Sequence, residues 1–294
     1  MSAYVIQQEM TSRMPSVFDF DAPPDQYAVL GNPIAHSKSP RIHALFAKQT
    51  AQRMVYTAIQ VDPGGFKQAV GNFQASGGKG LNVTVPFKRE AWELVNELSA
   101  RAQRAGAVNT IALRADGTLF GDNTDGVGLL RDIRDNFRAT VTGKRVLILG
   151  AGGAVRGILE PLLAERPASL VIANRTADRA TELAREFATL GSVSGCGFAA
   201  LPGQQFDLLI NGTSASLQGD MPALPTELLM PGAFCYDLMY SAQPTVFMHW
   251  AQQHGAAQVA DGLGMLVEQA AEAFFIWRGV RPNTRPVIDL LRAP

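Results

Sequence analysis

Lys88 stands where a lysine is electrostatically out of place. The run Asn82-Val-Thr-Val-Pro-Phe-Lys88 reads as a strand followed by the first turn of a helix. A cation there opposes the positive end of the helix dipole. Such local rule-breaking points to function rather than to folding. Lys88 reads as a charged hydrogen-bond donor and an acid in proton transfer, not as a free base. In the same run Asn82 and Thr84 fall on one strand face, with Val83 and Val85 on the other. Two further polar groups end strands, at Gly106-Ala-Val-Asn109-Thr110 and Gly121-Asp-Asn-Thr-Asp125-Gly126. Catalytic groups of α/β proteins gather at such strand ends, although Asp122 or Asp125 could equally serve as helix caps. Ser37-Lys-Ser39-Pro40 places two hydroxyls at a helix start. That arrangement suits a small carboxylate; a helix cap at Ser39 and a turn residue at Ser37 account for the pair equally well.

A second chemistry is written at 146–154, Val-Leu-Ile-Leu-Gly-Ala-Gly-Gly-Ala. Apolar residues make a buried parallel strand, and Gly150, Ala151, Gly152, Gly153 and Ala154 turn into a helix. The free N–H groups and positive dipole of that helix start suit a pyrophosphate, and the glycines let backbone approach it. The next strand, 169–174, ends Asn174-Arg175-Thr176, with Arg179 shortly after. An NAD site places a carboxylate at this strand end to bind the ribose 2′-hydroxyl. Here two guanidiniums and a hydroxyl stand instead, and arginine grips phosphate bidentately. The pattern predicts NADP. Solvation of a helix start would be the structural alternative, but arginine is unfavourable at that end of a helix.

These groups need elements to hold them, and the chain is long enough to build two domains. It has 294 residues, 47% of them hydrophobic and 18% charged, which suffices for a soluble globular protein with a large core. Lys+Arg 26 balances Asp+Glu 26, so no global field favours nucleic acid or an anionic membrane. No apolar run is long enough for a bilayer span. Cys196 and Cys235 show neither metal spacing nor a disulfide framework and fit a reducing cytoplasm. His36, His43, His249 and His254 are scattered, so no metal is expected. Residues 1–26 hold Asp19, Asp21 and Asp25 and no apolar core of a signal peptide. They are expected to be a poorly ordered extension.

From residue 27 onward, strands and helices alternate. Strands are expected at 27–31, 55–61, 80–85, 107–113, 118–121, 146–149, 169–174, 206–210, 233–238 and 258–260. Helices are expected at 39–52, capped by Ser39, and at 66–75, 87–98, 126–136, 177–190, 245–254, 265–278 and 287–291, besides the one after the glycine loop. Asp116-Gly117 marks a hairpin turn. The alternation predicts an α/β fold with helices covering parallel sheets.

Taken together, Gly31-Asn-Pro-Ile-Ala-His-Ser-Lys-Ser-Pro40, Asn82-Val-Thr-Val-Pro-Phe-Lys88, Gly106-Ala-Val-Asn-Thr110, Gly121-Asp-Asn-Thr-Asp-Gly126, Gly150-Ala-Gly-Gly-Ala154, Asn174-Arg-Thr176 and Ala260-Asp-Gly-Leu-Gly-Met-Leu266 resemble the shikimate dehydrogenase family. The resemblance runs through residues 27–291 in the family's order. It implies two domains: a substrate-binding and catalytic α/β domain at 27–124 plus 263–294, and a Rossmann-like doubly wound NADP-binding domain at 125–262. It implies reversible NADPH-dependent reduction of 3-dehydroshikimate to shikimate, in chorismate and aromatic amino-acid biosynthesis, in the cytoplasm. By resemblance, Ser37, Ser39 and Tyr240 hold the substrate carboxylate, and Thr84, Asn109 and Gln269 its ring hydroxyls. Lys88 and Asp125 form the catalytic pair. Asn174, Arg175, Thr176 and Arg179 take the 2′-phosphate, and Leu238 and Gly262 lie near the nicotinamide. The implied partner is a small molecule, with neither nucleic acid nor membrane, and the chain is a monomer or homodimer. A bifunctional quinate/shikimate dehydrogenase is the nearest alternative. A non-catalytic NADP-binding regulator is a second, which the retention of both Lys88 and Asp125 disfavours. Departures from the family are Ala100, where relatives can carry an acid, and Asp237-Leu-Met-Tyr-Ser-Ala, which lacks the Asn-Pro often seen after the tyrosine.

Overall fold

The computed structural model describes residues 23–213 and 220–293. Two six-stranded sheets are built in succession along the chain. The first holds β1 (Asp25–Gly31), β2 (Met54–Gln60), β3 (Gly80–Val83), β4 (Glu97–Leu98), β5 (Thr110–Leu113) and β6 (Leu119–Asp122), in the order β2-β1-β3-β5-β6-β4. Its β1, β2 and β3 run parallel, while β5 joins antiparallel to β3 and to β6. The second holds β7 (Arg145–Leu149), β8 (Ser169–Asn174), β9 (Val193–Gly197), β10 (Phe206–Asn211), β11 (Leu229–Asp237) and β12 (Gln258–Ala260). All its pairings are parallel, in the order β12-β11-β10-β7-β8-β9. That is a doubly wound sheet whose order reverses between β7 and β10, where such sheets open a ligand crevice.

Apolar strands account for this arrangement. Val146, Leu147, Ile148 and Leu149 of β7 are all fully buried, as a strand covered on both faces must be. The two faces feed separate clusters: Ile148 packs with Ile158, Leu162 and Ile172, and Leu147 with Leu209, Cys235 and Phe247.

Helices α1 (Ser39–Gln49), α2 (Phe66–Ala75), α3 (Lys88–Leu94) and α4 (Ala100–Ala105) accompany the first sheet. Helices α5 (Asp125–Arg131), α6 (Gly153–Ala164), α7 (Ala177–Phe187) and α8 (Val246–Gln253) follow, and α9 (Leu263–Arg278) and α10 (Arg285–Arg292) end the chain. The seam between the halves is α5, wedged between α6 and α9. Two glycines permit this. A Cβ on Gly126 would sit 2.6 Å from Pro161, and one on Gly128 would sit 2.7 Å from the Gln269 nitrogen.

Several boundaries differ from those expected. Asp25 and Gln26 are not part of an extension but of β1, paired with Met54 and Val55, and Asp25 binds Arg278. The rest of the expected extension, residues 1–22, lies outside the described residues. Ser39 is not the cap of α1: Lys38 occupies that position, and the Ser37 hydroxyl accepts from the Ser39 N–H at 3.3 Å. Strand β3 stops at Val83, so the alternation ends there and Val85 is 63% exposed rather than packed on an opposite face. The helix expected at 87–98 is the shorter α3, its expected end is β4, and α4 beyond it has no counterpart in the expected elements. Ser99 caps α4 by accepting from the Ala102 N–H, and Gly106 closes it in a left-handed conformation. The helix expected at 126–136 is α5 followed by a π-helical turn, Asp132–Asn136. Strand β9 has no counterpart in the expected elements.

Candidate active site

A cavity of about 350 Å³ lies between the two sheets. Its walls bring together Ser37, Ser39, Thr84, Lys88, Asn109, Asp125, Tyr240 and Gln269, with Leu238 and Gly262 on the side of the parallel sheet. Segments far apart in the chain thus converge on one space, each delivering its polar group where a strand gives way to a helix or loop, or from the face of α9.

The centre is the Lys88–Asp125 pair. Lys88 is the first residue of α3, and its Nζ donates to Asp125 Oδ2 at 2.6 Å. Asp125, first residue of α5, is 8% exposed, while the lysine side chain remains 28% exposed toward the cavity. A carboxylate with one buried flank and a cation with one free flank leave the ammonium open to a second acceptor. The other carboxylate oxygen, Oδ1, accepts from Asn109 Nδ2 at 2.8 Å.

Backbone groups decide how Asn109 is turned. Its Oδ1 accepts from the Thr124 N–H at 2.9 Å, and a backbone N–H only donates, so Nδ2 must face Asp125. Gln269 is fixed in the same way. Its Nε2 donates to the Leu266 carbonyl at 2.8 Å, which presents Oε1 inward as an acceptor, within 3.3 Å of Thr124 Oγ1. The cavity wall therefore offers a cation at Lys88, a donor at Asn109 and an acceptor at Gln269. Such a set discriminates the hydroxyls of a small polyol ring, because an analogue lacking one leaves a buried polar group unpaired. Ser37 and Ser39 also line the cavity, at the start of α1. Tyr240 is half-buried, and burial raises its phenol, with Asp261 adding to the rise, so it is present as a neutral donor.

The glycine loop continues this cleft along the parallel sheet. Gly150 has φ +103°, a conformation that favours glycine, and turns the chain from β7 toward α6. Gly152 and Gly153 have open space where a Cβ would stand, and α6 begins at Gly153 with no side-chain cap. Ala151 and Ala154 flank them. The helix N–H groups are thus free for an external acceptor. At the end of β8, Arg175, Thr176 and Arg179 are exposed, and neither guanidinium is paired with a carboxylate among the described residues. Asn174 is held by a bond from its Nδ2 to the Thr176 carbonyl at 3.0 Å. These residues fit a dinucleotide with a pyrophosphate on the loop and a further phosphate between the arginines. No group of metal-ligating side chains occurs among the described residues.

Three groups around the site have a place there that the sequence alone does not assign. Asn82 lines the cavity and is held from behind by Tyr56. Asp122 is gripped bidentately by Arg101, at 2.7 and 2.6 Å. Asp132 accepts from Tyr236 Oη at 2.6 Å. Asn82 carried a signal in its placement on the Thr84 face, and Asp122 in its strand-end motif; their partners, and those of Asp132, are distant in sequence.

Comparison with known proteins gives concordant results. Residues 29–111 match the shikimate dehydrogenase substrate binding domain, residues 133–218 match shikimate / quinate 5-dehydrogenase, and residues 262–292 match the shikimate 5′-dehydrogenase C-terminal domain. A shikimate dehydrogenase (NADP(+)) of Methylococcus capsulatus is 62% identical over 270 residues, covering 92% of this chain and 97% of its own. An Ael1 enzyme from Pseudomonas putida has a similar structure, with a TM-score of 0.86, 48% identity, and coverage of 92% of this chain and 99% of its own. Shikimate 5-dehydrogenase of Thermus thermophilus, in complex with NADP(H) and shikimate, superposes with a TM-score of 0.81 at 31% identity, covering 91% of this chain and 98% of its own.

Proposed function

This chain belongs to the shikimate dehydrogenase family, and we propose that the Lys88–Asp125 cavity is the place where it does that family's chemistry. The chain is an NADP-dependent oxidoreductase that interconverts 3-dehydroshikimate and shikimate reversibly. The division of labour proposed here gives residues 27–124 and 263–294 to substrate and 125–262 to the cofactor. The proposed setting is aromatic biosynthesis in the cytoplasm, with the chain a monomer or homodimer. Among the described residues no helix is long and apolar enough to cross a membrane.

The observation that carries the site assignment is the 2.6 Å ion pair, open on one side to a cavity whose other walls are hydroxyls and amides. Ser37, Ser39 and Tyr240 bind the ring carboxylate with neutral donors. Thr84, Asn109 and Gln269 orient the ring by its hydroxyls, and Asn109 in addition keeps Asp125 turned toward Lys88. When bound, the nicotinamide supplies or accepts the hydride. Oxidation of the ring hydroxyl must also release one proton from its oxygen, and reduction must return one. Lys88 Nζ and Asp125 Oδ2 are the groups placed to hold and move that proton, and the paired lysine steadies the negative charge developing on the oxygen. Gly150 to Ala154 receive the pyrophosphate, Asn174 to Arg179 the 2′-phosphate, and Leu238 and Gly262 form the floor beside the nicotinamide.

The test is Lys88→Ala, followed by NADPH absorbance with saturating shikimate. Acid–base help of this kind is worth about 10²- to 10⁴-fold, so kcat falls by that order with the fold intact. Wild-type kcat in the variant would refute the assignment. The same assay with quinate decides whether the cavity also accepts the additional hydroxyl.

A further inference from the structure

Behind the cavity lies a buried polar chain that touches neither the substrate space nor the cofactor cleft at its far end. It begins at Tyr56 on β2, a residue that does not line the cavity. Tyr56 Oη lies 2.7 Å from Asn82 Oδ1, reaching past β1 to β3. Asn82 Nδ2 donates to the Asn109 carbonyl at 3.1 Å and to Thr110 Oγ1 at 3.1 Å. Thr110 Oγ1 donates to Asn109 Oδ1 at 2.9 Å, and Asn109 Nδ2 donates to Asp125 Oδ1 at 2.8 Å.

The direction of every bond is determined. A carbonyl only accepts, so Asn82 must present Nδ2 to Asn109 and Oδ1 to Tyr56. The phenol must then donate, and its one proton is spent on Asn82. The phenol is clamped flat. The His43 ring stacks on it with centroids 4.1 Å apart and planes 8° from parallel, and Trp277 leans on both. His43 is fully buried, and among the described residues its ring nitrogens reach no hydrogen-bond partner. Burial pushes it down to about 3, so it stays neutral and adds no cation beside the serines.

We propose that Tyr56 is a positioning residue for this reaction: its hydroxyl locks Asn82, and through Thr110 the Asn109 amide that holds Asp125 against Lys88. Without the phenol hydroxyl, Asn82 Oδ1 is a buried acceptor with no donor and turns toward the cavity. Thr110 then loses the amide that aims its hydroxyl, and the hold on Asn109 Oδ1 falls back on Thr124 alone. The cofactor cleft, built from the other sheet, is not reached by this chain.

The inference rests on the cavity being the shikimate site, so Lys88→Ala is assayed alongside; full activity there removes that premise whatever Tyr56 does. The experiment is steady-state kinetics with shikimate and NADP+ for Tyr56→Phe, Thr110→Val and the double variant. Tyr56→Phe removes one hydrogen bond of the chain and Thr110→Val two, and each variant lowers kcat/KM for shikimate about tenfold. KM for NADP+ stays within about twofold. Because the two residues are links of one chain, the double variant loses about as much as either single variant instead of the product. Unchanged kcat/KM for shikimate in Tyr56→Phe overturns the proposal. So do losses that multiply, or a KM for NADP+ that rises in step, which would mean general loosening. If Tyr56→Phe cannot be recovered folded, Thr110→Val decides alone, and wild-type kinetics there overturn the proposal equally.

Discussion

At the scale of single residues, Lys88 and Asp125 form one ion pair, and if they are the proposed proton-transfer pair their kinetics should show it. Each loses its partner when the other is replaced. Lys88→Ala and Asp125→Asn are each expected to lower kcat about 10²- to 10⁴-fold. The double variant should lose far less than the sum of the two free energies, as groups sharing one proton transfer do. Losses that add in full would assign the residues to separate steps. Arg175 belongs to the same scale. It is exposed and has no carboxylate partner among the described residues, which suits it to take a phosphate. A charge-assisted contact contributes about 1.5–3 kcal/mol, or roughly 10- to 150-fold in affinity. Arg175→Ala should raise KM for NADP by that factor and leave KM for NAD almost unmoved. Arg175→Asp should go further, since a carboxylate repels the 2′-phosphate and accepts the 2′-hydroxyl of NAD. The ratio of kcat/KM for the two cofactors measures this, and an equal loss for both would show that the arginine reads no phosphate.

At the scale of elements, legibility followed locality. Strands β8 and β12 and helix α2 are bounded where their own residues indicate, because apolar run, caps and turn residues all lie within the element. The motifs that line the cavity were legible for the same reason: each is a strand end and the loop after it. Elements set by distant partners were not. Strand β9, Val-Ser-Gly-Cys-Gly, has little strand propensity and exists because β8 pairs with it. Ser99 and Gly106 mark α4 as cap and terminator, but six residues between them are too few for a helical period to show. The π turn after α5 answers to Asp132, which takes bonds from Tyr236 and Asn136 beside the start of α9. Burial raises Asp132 from its ordinary 3.8 to about 6, against the pull of those two bonds. An acid raised in the folded state stabilises the fold in its protonated form. That contribution is fully present below about pH 4 and is lost as pH rises through about 6. Its size is on the order of 3 kcal/mol. Asp132→Asn keeps an acceptor for Tyr236 and removes the titration. Thermal melting should then lose the decline between about pH 4.5 and 7 expected of the wild type, and a decline of equal size in the variant would locate it elsewhere.

At the scale of the whole molecule, α9 joins what the two sheets separate. Its start meets the parallel sheet, where the Met265 N–H donates to Tyr236 Oη at 3.3 Å. Its middle gives Gln269 to the cavity. Its end meets the first sheet, where Trp277 Nε1 donates to the Ile111 carbonyl at 3.0 Å and Arg278 binds Asp25. One turn past Gln269, Glu272 gathers three guanidiniums: Arg131 of α5 at 2.7 Å, Arg281 beyond α9 at 2.7 Å, and Arg101 of α4 at 3.2 Å. Burial alone would raise this carboxyl, but the three arginines prevail and hold it down to about 2. An acid lowered in the folded state contributes stability above its ordinary value of 4.5, and that stability is lost as pH falls toward 2. The acid slope of Glu272 therefore runs opposite to that of Asp132, and the joint contribution of these two groups peaks between their ranges, near about pH 4 to 5. Glu272→Gln leaves the arginines facing a neutral group. Breaking one side of a buried ion cluster costs about 3 kcal/mol. The variant should melt several degrees lower at neutral pH and lose less stability on acidification than the wild type. Because Gln269 rides on the same helix face, KM for shikimate should rise while KM for NADP stays put. A variant that melts like the wild type at neutral pH, with an unchanged acid slope, would show that α9 is held by its apolar face alone.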